Sequence, residues 1–271
     1  SACLQDMLVI PPLDYPVFGW RKSPPYTLVL DTDQLTVIAA PRNGPLTTVI
    51  PLKSLLTVEL VIVLLHAHLR FTWVEQGRVE HLSLEFNSVG EQFICRQLNQ
   101  LRTTLCLVDH RTHDDTPTSI SRSIIDGLPL KFQNYLTLRR RPSEQVLAAV
   151  YEPSRSPTGR WFRLTISPNR VVAVTDAGLI VLEDEVTRKI ANYTIITRYY
   201  PRDRISEVSF EAGSDLTSMK ITLGYGSAFT ETNIPLSPGA AAALESHLQA
   251  LHIPTSNRTQ AQSGVYEMNL R

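Results

Sequence analysis

At 271 residues, with 43% hydrophobic and 19% charged residues, the chain has material for about two domains that each bury a core. Lys plus Arg and Asp plus Glu are equal at 26 each, and the formal net charge of zero removes the long-range basic field of a general nucleic-acid binder. Cys3, Cys95 and Cys106 make an odd count with no C-x-x-C pair, which argues against a disulfide framework or structural zinc and for a reducing, cytoplasmic setting.

The first 25 residues carry Pro11, Pro12, Pro16, Pro24 and Pro25, so Met7 to Ile10 and Pro16 to Trp20 read as lead-in or edge strands. No signal peptide opens the chain, and the lack of an initiator Met reads as a processed or excised product. From Tyr26 the pattern is strand, turn, strand: Tyr26–Leu30, the acidic turn Asp31 to Asp33, then Gln34–Ala39. Asn43-Gly44 marks a second turn. Thr47 to Ile50, Leu55 to His68, Leu69 to Glu75 and Glu80 to Phe86 continue as strands, with Gln76-Gly77 as a hairpin. The longest apolar run, Leu60 to Leu65, is far short of the roughly 20 residues a spanning helix needs.

Asn87-Ser88 opens a helix expected to end near Leu101, with Ile94, Leu98 and Leu101 on one stripe. Residues 106–143 read as a linker with one amphipathic helix. Asp109 to Ser123 is too polar to pack, and Leu128, Phe132, Tyr135 and Leu136 recur at helical spacing. Arg139-Arg140-Arg141 would then face the negative end of that helix, and Pro142 would stop it.

The second half repeats the order. Gln145 to Tyr151, Arg163 to Ile166, Arg170 to Val174, Leu179 to Leu182 and Tyr193 to Arg198 are strands, and so are Ile205 to Phe210, Ser218 to Leu223 and Ala228 to Asn233. A helix capped by Ser237, with Pro238 at its first position, follows. Its stripe Leu244, Leu248 and Leu251 lies 150 positions after Ile94, Leu98 and Leu101, and Pro201, Ile205, Val208 and Phe210 match Pro51, Leu55, Val58 and Leu60 at the same offset. The chain is therefore expected to be a duplication: residues 1–105, a linker 106–143, and residues 144–271.

Antiparallel strands closed by one amphipathic helix suit a partly open sheet whose exposed apolar face needs a plug. This layout resembles the pleckstrin-homology-like (PH-like) superfold, and Leu128-Pro-Leu-Lys-Phe-Gln-Asn-Tyr with Glu144-Gln-Val-Leu-Ala-Ala-Val is similar to bacterial tandem proteins of this kind. The resemblance implies an α+β, mainly β fold of two PH-like, partly open antiparallel barrels, each with a C-terminal capping helix. It also implies a non-catalytic binding or scaffolding role with a protein or peptide partner, docked at an open strand edge or beside the helix.

A second role implied by the resemblance is a peripheral adaptor on an anionic membrane surface. Arg155, Arg160 and Arg163, with Trp161, are its candidate lipid or phosphate contacts, since guanidinium forks match phosphate oxygens. Their spacing does not put them all on one strand face, and solvated turn charges are the plainer account. Tyr193, Arg198, Tyr199 and Tyr200 form an aromatic and basic patch suited to a partner interface, set against Arg stems lying over Tyr rings at a strand end. His66 and His68, with His81 across from them, are a weak metal or metalloenzyme alternative, as are His110, His113, Asp114 and Asp115. No G-x-S-x-G, H-E-x-x-H or phosphate-loop motif occurs. The expectation is thus no catalytic residues, no metal and no cofactor.

Overall fold

The computed structural model describes residues 6–13, 23–107, 119–155, 167–184, 194–213 and 215–258. Strands β1 (Asp6–Ile10), β2 (Tyr26–Leu30), β3 (Gln34–Ala39) and β4 (Leu46–Pro51) form an antiparallel sheet in that order. A one-turn 3-10 helix, Leu52–Ser54, leads into β5 (Leu55–Val63), β6 (His66–Glu75) and β7 (Arg78–Asn87). Helix α1 (Glu91–Leu107) follows, then α2 (Ser119–Asp126) and α3 (Leu130–Arg139). The second half supplies β8 (Val146–Glu152), β9 (Arg170–Thr175), β10 (Gly178–Glu183) and β11 (Thr194–Pro201), and another 3-10 turn, Arg202–Arg204. It closes with β12 (Ile205–Ala212), β13 (Thr217–Tyr225), β14 (Ala228–Leu236), α4 (Pro238–Ala250) and β15 (Thr255–Arg258).

The architecture is mainly β, in several antiparallel sheets of which none closes on itself. β5 to β7 do not stay with β1 to β4. They join the first four strands of the second half in one seven-stranded sheet, ordered β7-β6-β5-β11-β10-β9-β8, while the last sheet runs β14-β13-β12-β15. The result is three sheets around two cores. Val171, Ala173, Ile180 and Leu182 face a core shared with β1 to β3 and with α1, α2 and α3. Their neighbours Val172, Val174, Leu179 and Val181 face the other core, under β12 to β14 and α4. β9 and β10 are consequently buried along their whole length, which is why they read as unbroken apolar runs.

Matching features recur at the 150-residue offset. Pro51 and Pro201 each precede a 3-10 turn, and the following strand pair carries a bulge at Leu55/Thr57 and again at Ile205/Glu207. The paired residues Trp73↔Glu80 and Leu223↔Thr230 keep the same 150-residue offset. Ile94, Leu98 and Leu101 are buried in the first core, and Leu244 and Leu248 in the second, with Leu251 packed beside them. Ser237 caps α4 by accepting the Ala240 N–H, and Pro238 occupies its first turn.

Several expectations change. Leu55 to His68 is two strands, broken at Leu64 and Leu65, where Leu64 takes a positive φ of 52°. α1 continues past Leu101 to Leu107, and two helices rather than one precede β8. Ser121, expected in an exposed linker, is buried and holds both the N–H and the C=O of Val146 at 3.1 Å. Pro16 to Trp20, Arg163 to Ile166 and residues 109–118 lie outside the described residues.

Candidate functional site

Two charge clusters, the first buried and the second partly buried, tie the halves together. The first gathers α1, the end of α3 and the approach to β8. Arg102 on α1 donates to Glu144 Oε1 at 2.5 Å and to the Arg139 carbonyl at 3.0 Å, and its guanidinium lies 4.3 Å above the Tyr199 ring. Glu144, wholly buried, also accepts the Thr175 hydroxyl at 2.7 Å and the Arg141 N–H at 2.9 Å. Burial alone would raise this carboxyl, but Arg102, the Arg141 N–H and Thr175 together hold it below its ordinary value.

Arg139 closes α3 in its last turn, as the run of arginines predicts, and is fully buried there, donating to Glu91 Oε1 and Cys95 Sγ. Burial opposes its charge, yet Tyr199, Cys95 and Glu91 raise its pKa. Burial pushes the Cys95 thiol up, despite Arg139 beside it. Tyr199 donates to the Arg139 carbonyl at 3.3 Å, and burial pushes its phenol up to about 12.

The second cluster crosses the seam between halves, where β11 pairs with β5. Arg198 and Glu59 face each other across that seam and bond at 2.6 Å; Arg198 also reaches Glu183, which Arg170 holds from the far side. Burial would raise Glu183, but Arg198 and Arg170 bring its carboxyl below the usual range. Lys131 on α3 bonds Asp184 at 2.5 Å and joins the helix to the same sheet. In both clusters the carboxylates are matched by cations and hydrogen-bond donors, which suits a rigid joint rather than proton transfer.

This placement overturns the expected Tyr and Arg patch. Tyr199 and Tyr200 are buried on opposite faces of β11, in the first and second cores, and Arg198 is spent on Glu59 and Glu183. Strand alternation sends neighbouring side chains to opposite faces, so the three cannot share a surface. Tyr193 lies outside the described residues, as do Arg160, Trp161 and Arg163. Arg155, the remaining lipid candidate, pairs with Glu152 at 2.8 Å and bonds the Asp215 carbonyl at 3.3 Å.

His66 sits 3.8 Å from Glu85 and His68 4.0 Å from Glu59, whereas His81 faces Thr72 four residues further along β6, 3.0 Å from its hydroxyl. Among the described residues no three His, Cys, Asp or Glu side chains cluster as metal ligands, and no helix is long and apolar enough to cross a membrane. A shallow groove of about 660 Å³ runs along α1, lined by Gln92, Arg96, Asn99 and Thr103 with Leu138 and Pro142 opposite, and brings no set of charges to one point.

The feature with an open valence is the outer edge of β4. Leu52 N–H donates to Asp33 O at 2.8 Å; by twos along the ladder, Ile50, Thr48 and Leu46 also face β3. The N–H groups of Thr47 and Val49 therefore point away from the sheet, where among the described residues no strand pairs with them. Leu46 and Val49 are exposed there, at 65% and 43%. Nothing in local periodicity marks Thr47 to Ile50 as an edge, since strand order is a tertiary property. No protein-family model matches the chain, and no curated protein matches it.

Proposed function

We propose that the chain is a non-catalytic binding or scaffolding module made of two PH-like units, each a partly open antiparallel barrel closed by its own C-terminal helix, and that it docks a protein or peptide partner. The repeated order of four strands, 3-10 turn, bulged three-strand unit and helix supports the two-unit reading. The observation that carries docking is the outer edge of β4, on which no strand lies among the described residues, whereas its counterpart in the second half, β11, uses that same edge to hold another strand. An extended segment laid against β4 would satisfy the Thr47 and Val49 N–H groups and cover Leu46 and Val49.

Thr47→Pro tests this reading, since it deletes one outward donor without touching a bond to β3. A partner captured by the wild-type chain should be lost by Thr47→Pro and should slow amide exchange at Thr47 and Val49. A partner held equally well by the variant would overturn docking at this edge.

A further inference from the structure

Resting on this strand-addition reading, the geometry points to a second copy of the chain as the occupant: β4 of one molecule pairs antiparallel with β12 of the next, and β15 is the built-in cover that blocks the joint. The molecule already contains one example of the pairing. β11 and β5 meet in the register Thr197↔Leu60, Arg198↔Glu59 and Tyr199↔Val58. By the 150-residue equivalence, β4 stands where β11 stands and β12 where β5 stands. Moving each partner by that offset gives Leu46↔Glu211, Thr47↔Phe210, Thr48↔Ser209 and Val49↔Val208.

The donors fit this register. Val208 N–H donates outward to the Pro254 carbonyl at 2.8 Å, so Val208 and Phe210 present the edge groups that Val58 and Leu60 present to β11. Within one chain β4 and β12 belong to different sheets, so the unused pair meets only between molecules. Thr48 opposite Ser209 replaces Arg198 opposite Glu59 at the centre of the new joint, and its one charge, Glu211 opposite Leu46, lies at the end of the register, where β12 gives way to the loop toward β13.

β15 covers Val208, Ser209, Phe210 and Glu211, the four β12 residues that this joint requires. It is a four-residue strand in parallel pairing, the weaker kind per residue, which makes it displaceable. Joining β4 to β12 is head-to-tail, so each added molecule leaves a fresh edge and the assembly is a ring or a filament.

The test is sedimentation equilibrium on the full chain, on Ser256→Pro and on Ser256→Pro combined with Thr47→Pro, with circular dichroism confirming the fold of each. Ser256 lies in β15 where Pro removes a donor to β12. The wild type is expected near its monomer mass of 30.4 kDa, S256P above twice that mass and rising with concentration, and the double variant near monomer again. A monomeric, folded S256P, or a double variant that associates equally, overturns the inference. If S256P does not fold, oxidising a mixture of Thr48→Cys and Ser209→Cys chains, each also carrying the milder Ser256→Gly to loosen β15, decides. These positions would be a non-hydrogen-bonded pair with Cα atoms about 4.5 Å apart, within disulfide reach. A disulfide joining positions 48 and 209 supports the joint, and its absence overturns it. Loss of self-association with Thr47-dependent capture of another protein retained removes the second copy but leaves docking at β4 standing.

Discussion

Glu144→Gln removes one charge from the most enclosed ion pair and leaves the rest of the site its shape. The amide can still accept from Thr175, but Arg102, largely buried, then keeps its charge without a counter-ion. Stripping one partner from a buried pair costs about 3–5 kcal/mol, because the survivor is neither solvated nor neutralised. At about 2–4 °C per kcal/mol for a chain of this size, the melting temperature should fall by about 6–20 °C. Urea unfolding followed by circular dichroism reads the same loss as a lower midpoint with an unchanged slope. The sign with pH is also set: the folded carboxyl lies below its unfolded value, so its contribution is complete above the unfolded pKa and is lost as pH falls through the folded one. Wild-type stability should therefore decline on acidification more steeply than that of the variant. A variant within about 1 kcal/mol of wild type, with the same acid slope, would refute the claim that this pair locks α1 to β8.

Gly178→Ala should cost roughly 2–6 kcal/mol, since φ is +137° and a Cβ would lie 2.1 Å from the Tyr200 carbonyl oxygen; Gly226→Ala, at φ +63° with nothing within 4 Å, should cost only about 1–2 kcal/mol. Thermal melts of the two variants check the contrast. Leu98→Ala on α1 and Leu248→Ala on α4, 150 positions apart and both buried, should each lose about 2–5 kcal/mol in urea titrations, whereas Phe93→Ala, exposed at 62% on α1, should stay within about 0.5 kcal/mol of wild type.

α4, the start of α1 and the features that recur 150 positions apart could be read from the chain because their signals are local. A cap, a leucine stripe and a proline before a bulged strand each recur within a few residues, and no insertion disturbs the 150-residue offset between Pro51 and Leu101. The joint could not be read in the same way. Arg139 sits in a run of three arginines, and arginine in such a run is ordinarily solvated; its partner Glu91 lies 48 positions away on another helix. Glu144 likewise meets Arg102 from 42 positions away. One sign was present all the same. Val171 to Val174 and Leu179 to Leu182 are apolar on both faces, which a sheet with one wet side does not require. Those runs announced a sheet packed on both sides, and hence strands shared between the halves.

Two separate barrels would each need to cover the edges left by an open sheet. Here one edge is resolved internally: β11 completes the sheet that β5 begins, and Arg198 with Glu59 makes that match specific because either charge alone in the seam would be costly. β4 and β12, the strands at the matching 150-residue positions, offer a second pair of edges, and the chain treats them unequally. β12 is sealed by β15, while β4 has only β3 among the described residues. Thr48 and Ser209, which stand in the places of Arg198 and Glu59, carry no charge to enforce or forbid pairing. The internal seam is thus fixed by a half-buried ion pair, whereas the edge of β12 is covered by a four-residue strand at the end of the described chain.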